Sequence, residues 1–183
     1  MLQSSITLAH GSGGRAMHEL VDQLIRQVFS NPLLDQGEDQ ARIPLAELNA
    51  LGNRLAFTTD SYVVTPLEFP GGNIGTLAIN GTVNDLAVGG ATPLYLSCGF
   101  IIEEGLALET FKRILAAMRS AADAAGVAIV TGDTKVVQRG GADQLFINTA
   151  GVGVIAEGFN PSASGAQVGD VVIVNGYLGD HGA

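Results

Sequence analysis

The chain has 183 residues, enough for one large domain with its own core, and 46% of them are hydrophobic. Nine basic residues stand against 18 acidic ones, a formal charge of -9, which excludes the basic footprint of a nucleic-acid or anionic-membrane binder. No run approaches the roughly 18 consecutive apolar residues of a membrane-spanning helix, and no basic residue precedes Arg15, so the chain is expected to be cytoplasmic.

The first clear helix is expected from about Gly14 to Ser30, where Met17, Leu20, Val21, Leu24 and Val28 repeat at spacings of three and four. Ahead of it, His10-Gly11-Ser12-Gly13-Gly14 is a flexible segment whose amides can turn toward an anion. It lacks the GK[ST] ending of a P-loop and follows no strand, and a mobile tail explains it equally well. A short apolar patch at Ile43-Pro44-Leu45 and a turn near Gly52-Asn53 lead to a strand over Arg54 to Thr59, with Tyr62 to Thr65 as its continuation or neighbour. Pro66 and Pro70-Gly71-Gly72 mark a loop.

From Asn73 to about Val88 small apolar residues predict a buried helix, in which Gly75 and Gly81 imply close approach of another backbone and Asn80 shares a face with Asn84. Leu94 to Glu103 reads as a strand, Leu108 to Ala125 as an amphipathic helix, Val127 to Gly132 as a strand, and Gln144 to Ala156 as a long apolar strand. The fold class is α+β (α/β), a mixed sheet with crossover helices. Residues 1–158 form one domain; 159–183 are linker, with a fresh strand at Asp170 to Asn175 that suggests a further domain. Only 15% of residues are charged, so part of the surface is expected to be covered by another subunit.

Three aspartates stand at the ends of apolar runs: Asp60 after Leu55 to Thr59, Asp85 after Asn80 to Asn84, and Asp133 after Ala128 to Gly132. Each alone is compatible with a turn or cap. Together they suit a shared magnesium ion, which prefers carboxylates, phosphate oxygens and water. Lys135, one of two lysines, lies two positions beyond Asp133, where a phosphate clamp is favoured. This points to nucleotide chemistry. The lone Cys98 sits in an apolar run and is read as a buried strand residue. His10, His18 and His181 are not at metal-ligand spacing, and no G-x-S-x-G elbow supports a serine hydrolase.

Ala9 to Gly14, Thr59-Asp60-Ser61-Tyr62, Phe69 to Gly75, Asn84-Asp85, Leu96 to Phe100, Thr131 to Val137 and the Leu-Gly-Asp-His-Gly terminus closely resemble the HypE family of hydrogenase maturation proteins. That family belongs to the ATP-binding superfamily of aminoimidazole ribonucleotide synthetase, selenophosphate synthetase and thiamine-monophosphate kinase. The resemblance implies an aminoimidazole ribonucleotide synthetase-like amino-terminal domain that pairs as a homodimer to close a β-barrel-like sheet. It implies ATP covered by Gly11, Ser12, Gly13 and Gly14, with Asn84, Thr134 and Lys135 at the phosphates. Magnesium would be held by Asp60, Asp85 and Asp133, and Asp85 and Lys135 would be catalytic.

The implied reaction is an ATP-dependent dehydration of a protein cysteine thiocarboxamide to a thiocyanate, which supplies the cyanide ligands of [NiFe] hydrogenase. HypF stands upstream and the HypC-HypD complex downstream. The acceptor cysteine and most of a carboxyl-terminal domain are expected to lie outside these 183 residues, so this stretch alone is not expected to complete the reaction. Two other readings remain at this point: a non-catalytic dimeric module that docks other maturation proteins, and another ATP-dependent kinase or synthetase of the superfamily.

Overall fold

The structure, a computed structural model, describes residues 4–174 and 176–179. After a 3-10 turn at Leu8–Gly11, the first helix begins as α1 (Arg15–Leu20), widens into a π segment at Val21–Ile25 and ends as α2 (Arg26–Phe29). The expected helix is therefore present, and its one irregularity is an inserted wide turn of the kind that π-bulges introduce into α-helices. A short helix α3 (Leu45–Asn49), absent from the sequence reading, precedes β1 (Arg54–Tyr62). The Pro-Gly loop contains a two-rung hairpin, β2 (Glu68–Phe69) and β3 (Gly72–Asn73).

Helix α4 (Ile74–Val88) starts at Asn73, whose Oδ1 accepts the Thr76 backbone N–H at 3.0 Å, the bond an N-cap supplies. Its two interior glycines are close-approach sites, but only Gly75 meets another backbone as expected, Gly81 being approached by a side chain. A Cβ on Gly75 would stand 2.7 Å from the Ile114 carbonyl oxygen, and one on Gly81 would strike the Tyr62 hydroxyl. Helix α5 (Leu108–Ala125) follows β4 (Ala91–Glu103) and buries Leu108, Phe111, Ile114, Leu115, Met118 and Ala122 along one stripe. Gly126 ends it in the left-handed conformation, φ 69°. Then come β5 (Ala128–Val137) and β6 (Leu145–Ile155).

The four long strands form one mixed sheet in the order β1-β6-β4-β5. Strand β6 is antiparallel to β1 and β4, while β4 and β5 run parallel through the α5 crossover. One face of the sheet is covered. Leu96, Cys98, Phe100, Ile102, Leu145 and Ile147 are buried there against α4, α5 and the first helix, with the Phe100 and Phe111 rings packed edge to face at 5.4 Å.

The opposite face is bare, and Leu55, Phe57 and Val63 stand 61%, 69% and 65% exposed on or just beyond β1. Strand alternation accounts for the division, since every second side chain faces away from the helices.

Two expectations are corrected. Asp60 and Asp133 do not end their strands, because β1 continues to Tyr62 and β5 to Val137. The fresh strand expected at Asp170 to Asn175 is not formed over 170–174, where Val171, Val172, Ile173 and Val174 are all exposed. A β-prone run becomes a strand only by pairing, and no described strand lies beside this one. Asn175 itself lies outside the described residues.

Candidate functional site

The sequence-predicted residues fall into three groups. At the β1 edge, α4 is lashed to the strand by side chains. Thr58 Oγ1 donates to Asp85 Oδ2 at 3.0 Å, and the Tyr62 hydroxyl meets Thr82 Oγ1 at 3.2 Å. Thr82 Oγ1 lies 2.5 Å from Thr149 Oγ1, which donates to the Ala78 carbonyl at 2.9 Å. This buried hydroxyl chain fixes the α4 turn that presents Asn84 and Asp85, both exposed. Burial pushes the Tyr62 phenol above its usual range, against the lowering effect of the Thr82 hydrogen bond.

Asp60 lies two residues from Thr58 and so on the same side of β1; its Oδ1 accepts the Ser61 backbone N–H at 2.7 Å. Asp60, Asn84 and Asp85 therefore share one edge of the sheet.

At the opposite edge, Lys135 Nζ reaches both oxygens of Asp133, at 2.8 and 2.7 Å. The Lys135 ammonium, helped by the Thr134 backbone N–H at 2.8 Å, holds the Asp133 carboxyl below the ordinary aspartate range against partial desolvation. Thr134 itself is turned to the covered face and buried. The glycine-rich segment forms the third group: the 3-10 turn packs on β5, with Gly11 against Val136, while Ser12, Gly13 and Gly14 are exposed ahead of α1. Ser12 Oγ donates to the Ala9 carbonyl at 3.0 Å.

Strands β1 and β5 are three inter-strand steps apart, roughly 14 Å. Within the described residues the three aspartates are not brought together, and no group of three His, Cys, Asp or Glu side chains is placed to hold a metal ion.

The bare face connects the edges. Cross-strand register places Ser61 opposite Asn148, Asn148 opposite Gly99, and Gly99 opposite Asp133, one polar row across all four strands. The adjoining row holds Phe146, Ile101 and Lys135. Between them lies a half-open trough of about 330 Å³ lined by Ser61, Val63, Gly99, Ile101, Asp133, Lys135, Phe146 and Asn148.

Asn148 Nδ2 donates to Thr59 Oγ1 at 3.3 Å, the Asp60 carbonyl at 2.9 Å and Ser61 Oγ at 3.0 Å. Sequence reasoning missed this residue, although a lone polar side chain at an outward position of an apolar strand was a usable signal. A second cavity, about 260 Å³, lies under the first helix, where Cys98, Phe100 and Ile129 meet Met17, Val21 and Phe29.

Comparison with known proteins identifies the fold. The family described as AIR synthase related protein, N-terminal domain, matches residues 37–155. The Escherichia coli (strain K12) protein named carbamoyl dehydratase HypE is 61% identical over 180 residues, covering 98% of this chain and 54% of its own. The crystal structure of E. coli HypE aligns with a TM-score of 0.79 at 60% identity, over 82% of this chain and 48% of that one. HypE in complex with ATP aligns at 0.76 and 54% identity, over 81% of this chain and 43% of that one. HypE from a HypE-HypF complex aligns at 0.58 and 48% identity, over 77% and 44%.

This chain spans about half the length of the curated relatives it matches. Among the described residues no helix is long and apolar enough to cross a membrane. With residues 37–155 matched and the mixed four-stranded sheet shared, the chain belongs to the AIR synthase related family through its N-terminal domain, and it is similar over nearly its whole length to HypE.

Proposed function

We propose that this chain is the ATP-binding half of an ATP-dependent dehydratase that converts a protein cysteine thiocarboxamide to a thiocyanate during [NiFe] hydrogenase maturation. The observation that carries the reading is the 61% identity, over 98% of this chain, to a protein named carbamoyl dehydratase. The solved likeness of an ATP complex supports ATP as co-substrate. Residues 1–158 are the ATP-binding and dimerisation domain, and 159–183 lead into the remaining domain.

Asp60 and Asp85 fit magnesium: they share the helix side of one strand edge, and each keeps a carboxylate oxygen outside the hydrogen bonds described. Magnesium takes one or two carboxylates with phosphate oxygens and water, and would supply charge neutralisation at the transferring phosphoryl group. Asp133, on the opposite edge and outward face of the same sheet, does not reach this site within one chain; the Asp133 of a second copy would supply the third carboxylate. Asn84 orients phosphate or water, Gly11 to Gly14 close over the phosphates, and Asp85 and Lys135 act at the reacting groups, whereas the Thr134 side chain, buried on the covered face, is turned away from them. Lys135 offsets the charge of the oxygen that becomes a leaving group.

The apolar end of the bare face, where Leu55 and Phe57 give a second copy a surface to cover, supports a homodimer. HypF is a partner on the strength of the HypE-HypF likeness, and HypC-HypD would receive the product. The working place is the cytoplasm. Isothermal titration of Mg-ATP into this chain and into the longer protein that carries it tests the reading. Micromolar binding to the longer protein, lost in Asp85→Asn, supports it; no binding to that protein overturns it.

A further inference from the structure

Asn148 lies mid-strand on the bare face, at the centre of the polar row, and two features set it apart from an ordinary solvated asparagine. The first is its fixed orientation. The Asp60 carbonyl can only accept, and Thr59 Oγ1 already gives its proton to the Thr149 carbonyl at 3.1 Å, so the atom facing them must be Nδ2. The planar amide then turns Oδ1 away from these β1 acceptors, and Oδ1 accepts nothing from the described residues.

The second is the floor beside it. Gly99 is opposite Asn148, and a Cβ there would meet nothing closer than the Asn148 carbonyl at 3.9 Å. Internal packing does not require a glycine at this position. Its effect is to keep the trough open beside Asn148.

A fixed acceptor at the middle of a trough walled by Phe146, Ile101 and Val63, with the Lys135 ammonium on its far side, suits a small group that donates N–H on one side and presents an oxygen on the other. A primary carboxamide has that pattern: its NH₂ meets Oδ1 and its oxygen faces Lys135. We propose that Asn148 is the specificity residue that holds the nitrogen of a carboxamide substrate in this trough. This rests on the dehydratase reading for its substrate class but not for its geometry. Nothing in the sequence assigns Asn148 a role beyond the strand it occupies.

The test compares S-carbamoyl-cysteine with S-(N,N-dimethylcarbamoyl)-cysteine, which lacks N–H, in the longer protein that carries this chain. The wild type should bind the first about tenfold more tightly, one hydrogen bond's worth of discrimination. Asn148→Ala and Asn148→Ser should lose that preference while keeping the Mg-ATP affinity within about twofold. Side-chain ¹⁵N resonances supply a reading that needs no variant: the Asn148 amide should shift with the first probe and not with the second, which decides the matter if both variants melt early.

Equal affinity for the two probes, no binding of either at millimolar concentration, or a preference retained in both variants overturns the proposal. Absence of Mg-ATP binding alongside Asn148-dependent discrimination would instead overturn the dehydratase reading and leave the amide site standing.

Discussion

The two faces of the sheet are built from the same strands, residue alternating with residue, yet they obey different rules. On the covered face each position is fixed by packing, and Phe111, Ile114, Leu115 and Met118 have no measurable exposure. On the bare face Asn148, Asp133, Lys135 and Phe57 stand in one continuous surface. Packing governs one side, while the other can carry polar groups in solvent, where they need no buried partner.

Substitutions can break or sharpen that division. The largest effect belongs to Phe111→Ala, which removes a fully buried ring in edge contact with Phe100 and should cost about 3–5 kcal/mol in urea unfolding. Next is Gly132→Ala on β5, whose Cβ would be driven into the Cys98 carbonyl; parting the β4–β5 ladder there should cost about 1–3 kcal/mol.

Gly99→Ala, one strand over and on the other face, is the matched control. It should stay within about 0.5 kcal/mol of the parent while weakening carboxamide binding. A loss as large as that of Gly132→Ala would erase the distinction between the faces. Phe57→Lys should likewise leave unfolding within about 0.5 kcal/mol, but by light scattering it should turn a dimer into monomers if a second copy covers this surface.

The smallest effect is electrostatic. Lys135 depresses the Asp133 pKa in the folded chain, so the pair's contribution is present above the unfolded aspartate value and is lost as pH falls through the lower folded value. In Lys135→Met the Asp133 carboxyl should titrate higher, toward its ordinary range, followed by NMR. Because both groups are largely solvated, the melting temperature near neutral pH should barely move.

The covered face was largely legible in the sequence. Helix α5 has the expected bounds because all six of its buried side chains lie on one helical stripe, a local pattern. The bare face was harder to read. Asp60 and Asp133 looked like strand terminators because a carboxylate inside an apolar run normally ends it, but Asp60 is exposed at the sheet edge and Asp133 on the bare face, so neither is desolvated when its strand continues.

The row of Ser61, Asn148, Gly99 and Asp133 draws on residues as far apart as 61 and 148, and only register brings them level. The π segment at Val21–Ile25 left no trace, since the apolar spacing of three and four that predicts a plain helix is satisfied on either side of it. The run from Val171 to Val174 shows the converse: β propensity was visible, but the partner that would use it is not among the described residues.

Cys98 is the chain's only cysteine, it is 3% exposed, and burial pushes its thiol well above the usual range. For solution work that makes the molecule chemically quiet toward electrophiles. A single cysteine introduced on the bare face would take a fluorophore, spin label or cross-linker without competition from this one. If two copies pair, the separation between their labels could then be read directly, with no need to mutate the native residue and disturb the core it helps to fill.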